Sequence, residues 1–222
     1  MITRFLIAVN FLAFLWELSV GGSSVLGSFD SPGAQRVLDE GALIPAAVLQ
    51  GHEWWRIFTG AFLHGGLIHI GVNMLSLWFL GRFIEYALGS WRMLLVYMVS
   101  LVVSGLGVVY FSNPMTPPTL GASGAIFGLF GALFAIGFKL GKPGMDLVRS
   151  NIGILVLNLI ITFTVPVISR QAHVAGLLAG FVLTYAIYYP PRRVAPVVVE
   201  SSTGRTLETQ YESPHDRQHW TQ

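Results

Sequence analysis

The sequence predicts an all-α membrane protein, a bundle of six transmembrane helices, and three observations predict it. The first is composition: of 222 residues, 53% are hydrophobic and 11% charged, with a mean hydropathy of +0.64. A soluble domain carries about 25% charge. Too few polar side chains remain to cover a water-facing exterior, so much of the surface must face lipid, and a soluble enzyme is excluded. The second is that the charges are clustered, leaving uncharged runs near the roughly 20 residues that a helix needs to cross hydrocarbon. The third is that Pro and charged residues punctuate those runs where helices must end. The net charge of +2 is small, and no run of Lys and Arg exceeds two residues, which argues against nucleic acid as a partner. With no Cys in the chain, disulfides, thiolate metal sites and a Cys nucleophile are excluded.

Taken in order, the first span is 5–20, whose only charge is Glu17. The second, 62–81, lies inside the uncharged run 57–81. Positions 93–138 hold 46 residues without a charge, too long for one helix, and Pro114, Pro117 and Pro118 break them. That run is therefore two spans, 93–111 and 122–138. The fifth is 150–167 and the sixth 171–189, ended by Pro190-Pro191 and anchored by Arg192-Arg193. The outer segment 21–56 carries Val37-Leu38, Val48-Leu49 and Trp54-Trp55-Arg56, which suit a segment lying along the membrane surface. Residues 1–190 read as one membrane domain. Residues 191–222, rich in Ser, Thr, Glu, Gln and Pro, read as a disordered tail.

Six spans put both termini on one side, and positive charge decides which. Arg4, Arg82, Arg92, Lys139, Lys142, Arg149, Arg192, Arg193, Arg205 and Arg217 fall on the terminus side; Arg36, Arg56 and Arg170 fall on the other. Both termini are thus expected in the cytoplasm, with 21–56, 112–120 and 166–170 outside.

A polar residue inside a span is costly unless it has a partner or a purpose. On this topology His64, His69 and Asn73, Ser123, and Gln171 with His173 all lie in the outer halves of spans two, four and six. His69 and Asn73 are four apart and share a face, whereas His64 is rotated off it. Gly124, Gly128 and Gly131 follow Ser123, and Gly176 and Gly180 share a face with His173. Such small residues let helices approach closely in lipid, which could bring the Ser123 hydroxyl to the His173 ring. A serine hydroxyl is a poor nucleophile until a base removes its proton. The context Gly121-Ala122-Ser123-Gly124 opens a helix, whose free first-turn N–H groups could face an oxyanion together with His69 and Asn73.

These residues resemble the rhomboid family of intramembrane serine proteases. Trp55-Arg56 is similar to the family's Trp-Arg pair in the loop after helix one. His64-x4-His69-x3-Asn73 matches the family's spacing, and Gly81-x3-Glu85-x3-Gly89 resembles its structural turn at the end of helix two. Gly121-x-Ser123-Gly124 and Ala172-His173-x2-Gly176-x3-Gly180 resemble the catalytic serine and histidine motifs. The resemblance implies a Ser123–His173 dyad without an acid, in keeping with the absence of Asp and Glu from spans two to six as bounded above. It implies an oxyanion site at His69 and Asn73, and an aromatic stack on the histidine from Phe127, where some relatives have Tyr. It also implies a transmembrane protein substrate entering laterally near spans two and five, cut near the outer face of a bacterial cytoplasmic membrane, without metal or cofactor. The oligomeric state is left open.

Three competing functions are separable. A catalytically silent client-binding relative would be marked by loss of Ser or His, and both are present. Haem or metal ligation lacks carboxylates and helical His spacing, and His52-Glu53-Trp54-Trp55-Arg56 has no second His. A transporter needs a polar path to the cytoplasmic side, where the spans offer little beyond Asn158.

Overall fold

Helix α1 (Ile2–Gly21) buries Thr3, Leu6, Asn10, Phe14, Glu17 and Gly21. Their spacing of three and four puts them on one stripe. Phe5, Leu12 and Leu15, on the other side, are more than half exposed. The computed structural model describes residues 1–27, 31–113, 116–165, 168–190, 197–201 and 204–208. Residues Met1–Tyr188 form one unit, whose described residues are helical apart from loops and a β-bridge between Leu43 and Thr119.

Among the described residues, positions 22–60 hold a 3-10 turn (Gly22–Leu26) and the short α-helices α2 (Pro32–Gly41), α3 (Pro45–Leu49) and α4 (Arg56–Gly60). Ser31 caps α2 by accepting from the Ala34 N–H at 3.1 Å, with Pro32 at the first position. Arg56 is buried and clips the segment together. Its Nη1 donates to the Ala42 carbonyl at 2.9 Å, its Nη2 to the Asp39 carbonyl at 2.7 Å, and its Nε to Glu53. The guanidinium also lies 4.6 Å from the centre of the Trp55 ring. Leu43 and Thr119 exchange two backbone bonds of 2.9 Å, and the Gly121 N–H donates to the Gly60 carbonyl at 2.9 Å. Residues 42–60 therefore brace the stretch that leads into Ser123.

Helix α5 (Leu67–Ser76) runs through a π-helical turn (Leu77–Gly81) into α6 (Arg82–Leu88), making one span. Ile68, Val72, Leu75 and Phe79 line its exposed face, a stripe suited to lipid and not to water. At its far end Glu85 holds the start of α1. The carboxylate accepts from the Ile2 N–H at 2.7 Å, the Thr3 N–H at 3.1 Å, the Thr3 hydroxyl at 2.6 Å and the Ser90 hydroxyl at 2.6 Å. Gly89 turns the chain at φ 82, a conformation that favours glycine. Glu85→Ala would strip acceptors from a helix N-terminus and should destabilise the protein by about 2–3 kcal/mol, with Glu85→Gln recovering part of it. Melting curves in detergent check this; an unchanged midpoint for Glu85→Ala would remove the role.

The remaining long helices are α7 (Ser90–Phe111), α8 (Ser123–Leu140), α9 (Lys142–Thr164) and α10 (Arg170–Ile187). Helix α8 is the centre: 72% of its apolar window is buried, against 50% for α7 and 19% for α9. Its Gly124 and Gly128 admit Ser104 and Ser100 of α7 so closely that an added Cβ would lie 2.4 and 2.0 Å from their hydroxyls. Lys139 ties the far ends of α8 and α10 by donating to the Tyr188 carbonyl at 2.7 Å.

Among the described residues, five helical segments are long and apolar enough to cross a membrane: Ile2–Leu26, Leu67–Leu88, Ser90–Phe111, Ser123–Leu140 and Lys142–Thr164. The protein is an integral membrane protein. Helix α10 is as long as α8 at 18 residues but is not among the five, because Arg170, Gln171 and His173 lower its opening turns. The span bounds also differ from those read off the charges. The second begins at Leu67 and ends at Leu88 instead of 62–81, and α9 begins at Lys142 instead of 150. Charged residues sit comfortably in terminal turns, where long side chains reach the interface. Glu85 and Asp146 thus lie in the helical segments that carry the second and fifth spans but beyond the bounds read off the charges, within which no acid occurs.

The expected disordered tail, 191–222, falls largely outside the described residues. Its described parts, β1 (Val197–Ser201) and β2 (Gly204–Glu208), pair antiparallel with Val197 opposite Glu208, inside a separate unit, Tyr189–Gln222. An isolated two-stranded hairpin is at best marginally stable in water.

Candidate active site

Three helices start at the same end of the bundle and deliver the site. Ser123 is the first residue of α8, His69 the third of α5 and His173 the fourth of α10. Ser169 fixes the start of α10 by accepting from the Ala172 N–H at 3.2 Å, which sets the first turn that carries His173. Gln171 ties that turn to the end of α7 by donating to the Phe111 carbonyl at 3.3 Å. Ser123 Oγ then lies 2.8 Å from His173 Nε2. Phe127, one turn after the serine, stacks on the imidazole with centroids 4.0 Å apart and planes 14° from parallel. The other ring nitrogen, Nδ1, is 2.7 Å from the Thr162 hydroxyl of α9.

The ring of His69 faces the serine loop. At Gly121, φ is 115, and an added Cβ would lie 2.8 Å from His69 Nε2 and 3.8 Å from Ser123 Oγ. Gly121 is thus required twice, by conformation and by space. His69 Nδ1 accepts from the Gly65 N–H at 3.1 Å, so in the neutral ring the proton sits on Nε2, the nitrogen turned to this loop. Asn73 is buried and donates from Nδ2 to the His69 carbonyl at 3.0 Å, keeping one further N–H. Because α8 begins at Ser123, the N–H groups of Ser123, Gly124 and Ala125 have no carbonyl within the helix.

The Rhomboid domain model matches residues 51–190. The chain belongs to the rhomboid family. It is 33% identical over 189 residues to "Rhomboid protease GluP" of Bacillus subtilis (strain 168), covering 85% of this chain and 35% of that protein. It is 32% identical over 168 residues to "RHOMBOID-like protein 6, mitochondrial" of Arabidopsis thaliana, covering 74% and 53%. A third relative, "Inactive RHOMBOID-like protein 8" of the same plant, is 30% identical over 164 residues, covering 72% and 46%. The chain thus spans between a third and about half of these relatives' lengths.

Within this rhomboid domain the other sequence-predicted residues have definite places. His64 lies in the loop ahead of α5, outside the helix. Its N–H donates to Glu17 Oε1 at 2.9 Å, its Nδ1 is 3.0 Å from the Phe62 carbonyl, and its ring packs edge-on to His69 with centroids 5.2 Å apart. Gly176 and Gly180 face Gly124 and Gly128 across the α8–α10 contact. Trp55 and Arg56 lie in the clip at 53–60, Glu85 and Gly89 at the junction with α1 and α7, and Gly81 against Thr3 of α1, whose Cγ2 would lie 3.0 Å from an added Cβ. Among the described residues, no three His, Asp or Glu side chains converge as metal ligands would. Sequence reasoning missed Thr162, whose only signal was its position four residues after Asn158. It also missed the Glu17 carboxylate that anchors the loop before His69.

Proposed function

We propose that this rhomboid-family chain is a serine endopeptidase that cleaves transmembrane segments of other proteins near the outer face of the bilayer. The observation that carries the reading is the 2.8 Å contact between Ser123 Oγ and His173 Nε2, under the Phe127 ring. In the reaction Ser123 Oγ attacks the scissile carbonyl carbon while its proton passes to His173 Nε2. The carbonyl oxygen becomes an oxyanion facing His69 Nε2–H, the free Asn73 N–H and the first-turn N–H groups of α8. His173 then gives its proton to the departing amine nitrogen, and a water, deprotonated by the same ring, releases the acyl group. A substrate helix is internally bonded and must unwind locally before its carbonyl can be reached. Entry near α5 and α9 suits this, since only 19% of the apolar stretch of α9 is buried among its described side chains.

The same reading takes α10 as a sixth span, about 27 Å long at 1.5 Å per residue. It puts both termini in the cytoplasm of a bacterial cell by the distribution of Lys and Arg. The test is fluorophosphonate labelling of purified protein in detergent. Wild type should be labelled and Ser123→Ala should not. A folded wild type that stays unlabelled would favour the silent, client-binding reading; one relative in the family is named as inactive. Asn73→Ala should lower turnover on the order of 10- to 10³-fold if its remaining N–H meets the oxyanion; a folded variant with full turnover would remove it from that role.

A further inference from the structure

Thr162 has two partners and one proton. It is fully buried on α9, with Oγ1 2.7 Å from the Asn158 carbonyl one turn back and 2.7 Å from His173 Nδ1. A carbonyl can only accept, and two oxygens 2.7 Å apart with no proton between them repel. The hydroxyl proton therefore points to Asn158, and the contact with the ring needs a proton from Nδ1. A neutral imidazole carries one proton, so Nε2 is left bare toward Ser123. The opposite assignment would turn Nε2–H toward the serine oxygen, and a protonated nitrogen cannot take the serine's proton.

A threonine in a membrane helix has no need of a histidine, because its back-bond already satisfies it. Thr164, two residues on, does just that, donating to the Ile160 carbonyl at 2.7 Å with its side chain exposed. The ring is the partner that gains. We propose that Thr162 is a positioning residue: it holds His173 in the Nδ1–H tautomer, so that Nε2 is the base for Ser123. The inference rests on the Ser123–His173 reading above and extends it with a neutral third member supplied by α9, in place of an acid.

The test uses the full chain in detergent, with Thr162→Val to keep the shape without the hydroxyl, Thr162→Ser to restore the hydroxyl, and Ser123→Ala as control. Thr162→Val should slow fluorophosphonate labelling and kcat on a model transmembrane substrate by roughly 10- to 10²-fold, with KM within about twofold. Thr162→Ser should stay within about threefold of wild type. The 15N spectrum of wild type, with His173 assigned by its loss in His173→Ala, should show the ring proton on Nδ1. A full-rate Thr162→Val, or a Thr162→Ser as slow as Thr162→Val, would overturn the proposal. So would a wild-type spectrum with the proton on Nε2, which decides the matter even if Thr162→Val does not fold. Absence of labelling in wild type would instead overturn the dyad itself.

Discussion

Ser123→Ala and His173→Ala should each reduce cleavage of a model transmembrane substrate by at least about 10⁴-fold, to background, and the double variant should be no worse than either. The two side chains share one hydrogen bond of 2.8 Å and act as a unit: without the hydroxyl there is no nucleophile, and without the ring its proton has nowhere to go. Removing the second partner after the first costs nothing more. Neither variant should unfold the bundle. Ser123 opens its helix and supports no other described side chain, while the loss of His173 leaves the Thr162 back-bond to Asn158 in place. The measurement is initial cleavage rate beside a melting curve for all four proteins. Turnover retained in a folded Ser123→Ala would end the serine-protease reading. Losses that multiply in the double variant would mean that the residues act in separate steps.

How much of this was legible beforehand depended on whether a residue's partner was near it in sequence. Ser123, His69 and His173 could be brought together because each opens a span from the same side. Their depth followed from topology, and their faces from the spacing of His69 with Asn73 and of His173 with Gly176. Contacts across the bundle were not legible. Thr162 reads as an ordinary threonine in an apolar helix until α9 is placed against α10. The bond from Glu17 to the His64 N–H joins positions 47 residues apart, and nothing local to either predicts it. The helix ends differ from the span bounds for another reason. Charge reads as a stop signal for a span, whereas a helix runs on through it: Lys142, Asp146 and Arg149 sit in the first turns of α9. Glu85, read as part of a turn, is an acceptor for the N-terminus of α1.

Gly180→Val should be the most disruptive single change away from the dyad, and Gly176→Val the next. A Cβ added at Gly180 would lie 1.9 Å from the Gly128 carbonyl oxygen, and one at Gly176 would lie 2.0 Å from the Gly124 oxygen. Real Cβ atoms do not approach so closely, and the obstacle is helix backbone, which cannot rotate aside as a side chain can. The helices must separate, and on α8's other face Ser104 and Ser100 already fill the space at Gly124 and Gly128. Overpacking of a tight core costs typically 1–3 kcal/mol and sometimes more; against helix backbone we expect about 3 kcal/mol or more. Activity should fall further than stability, because parting α8 from α10 stretches the Ser123–His173 hydrogen bond. Gly153 on α9 is the matched control: nothing lies within 4 Å of its added Cβ, so Gly153→Ala should be neutral or stabilising by up to about 1 kcal/mol through helix propensity. Melting temperature and cleavage rate of Gly180→Ala, Gly180→Val and Gly153→Ala give the comparison. Since the first added carbon already meets the Gly128 backbone, Gly180→Ala should show much of the loss. A Gly180→Ala as stable and as active as Gly153→Ala would mean that α8 and α10 do not meet through these glycines.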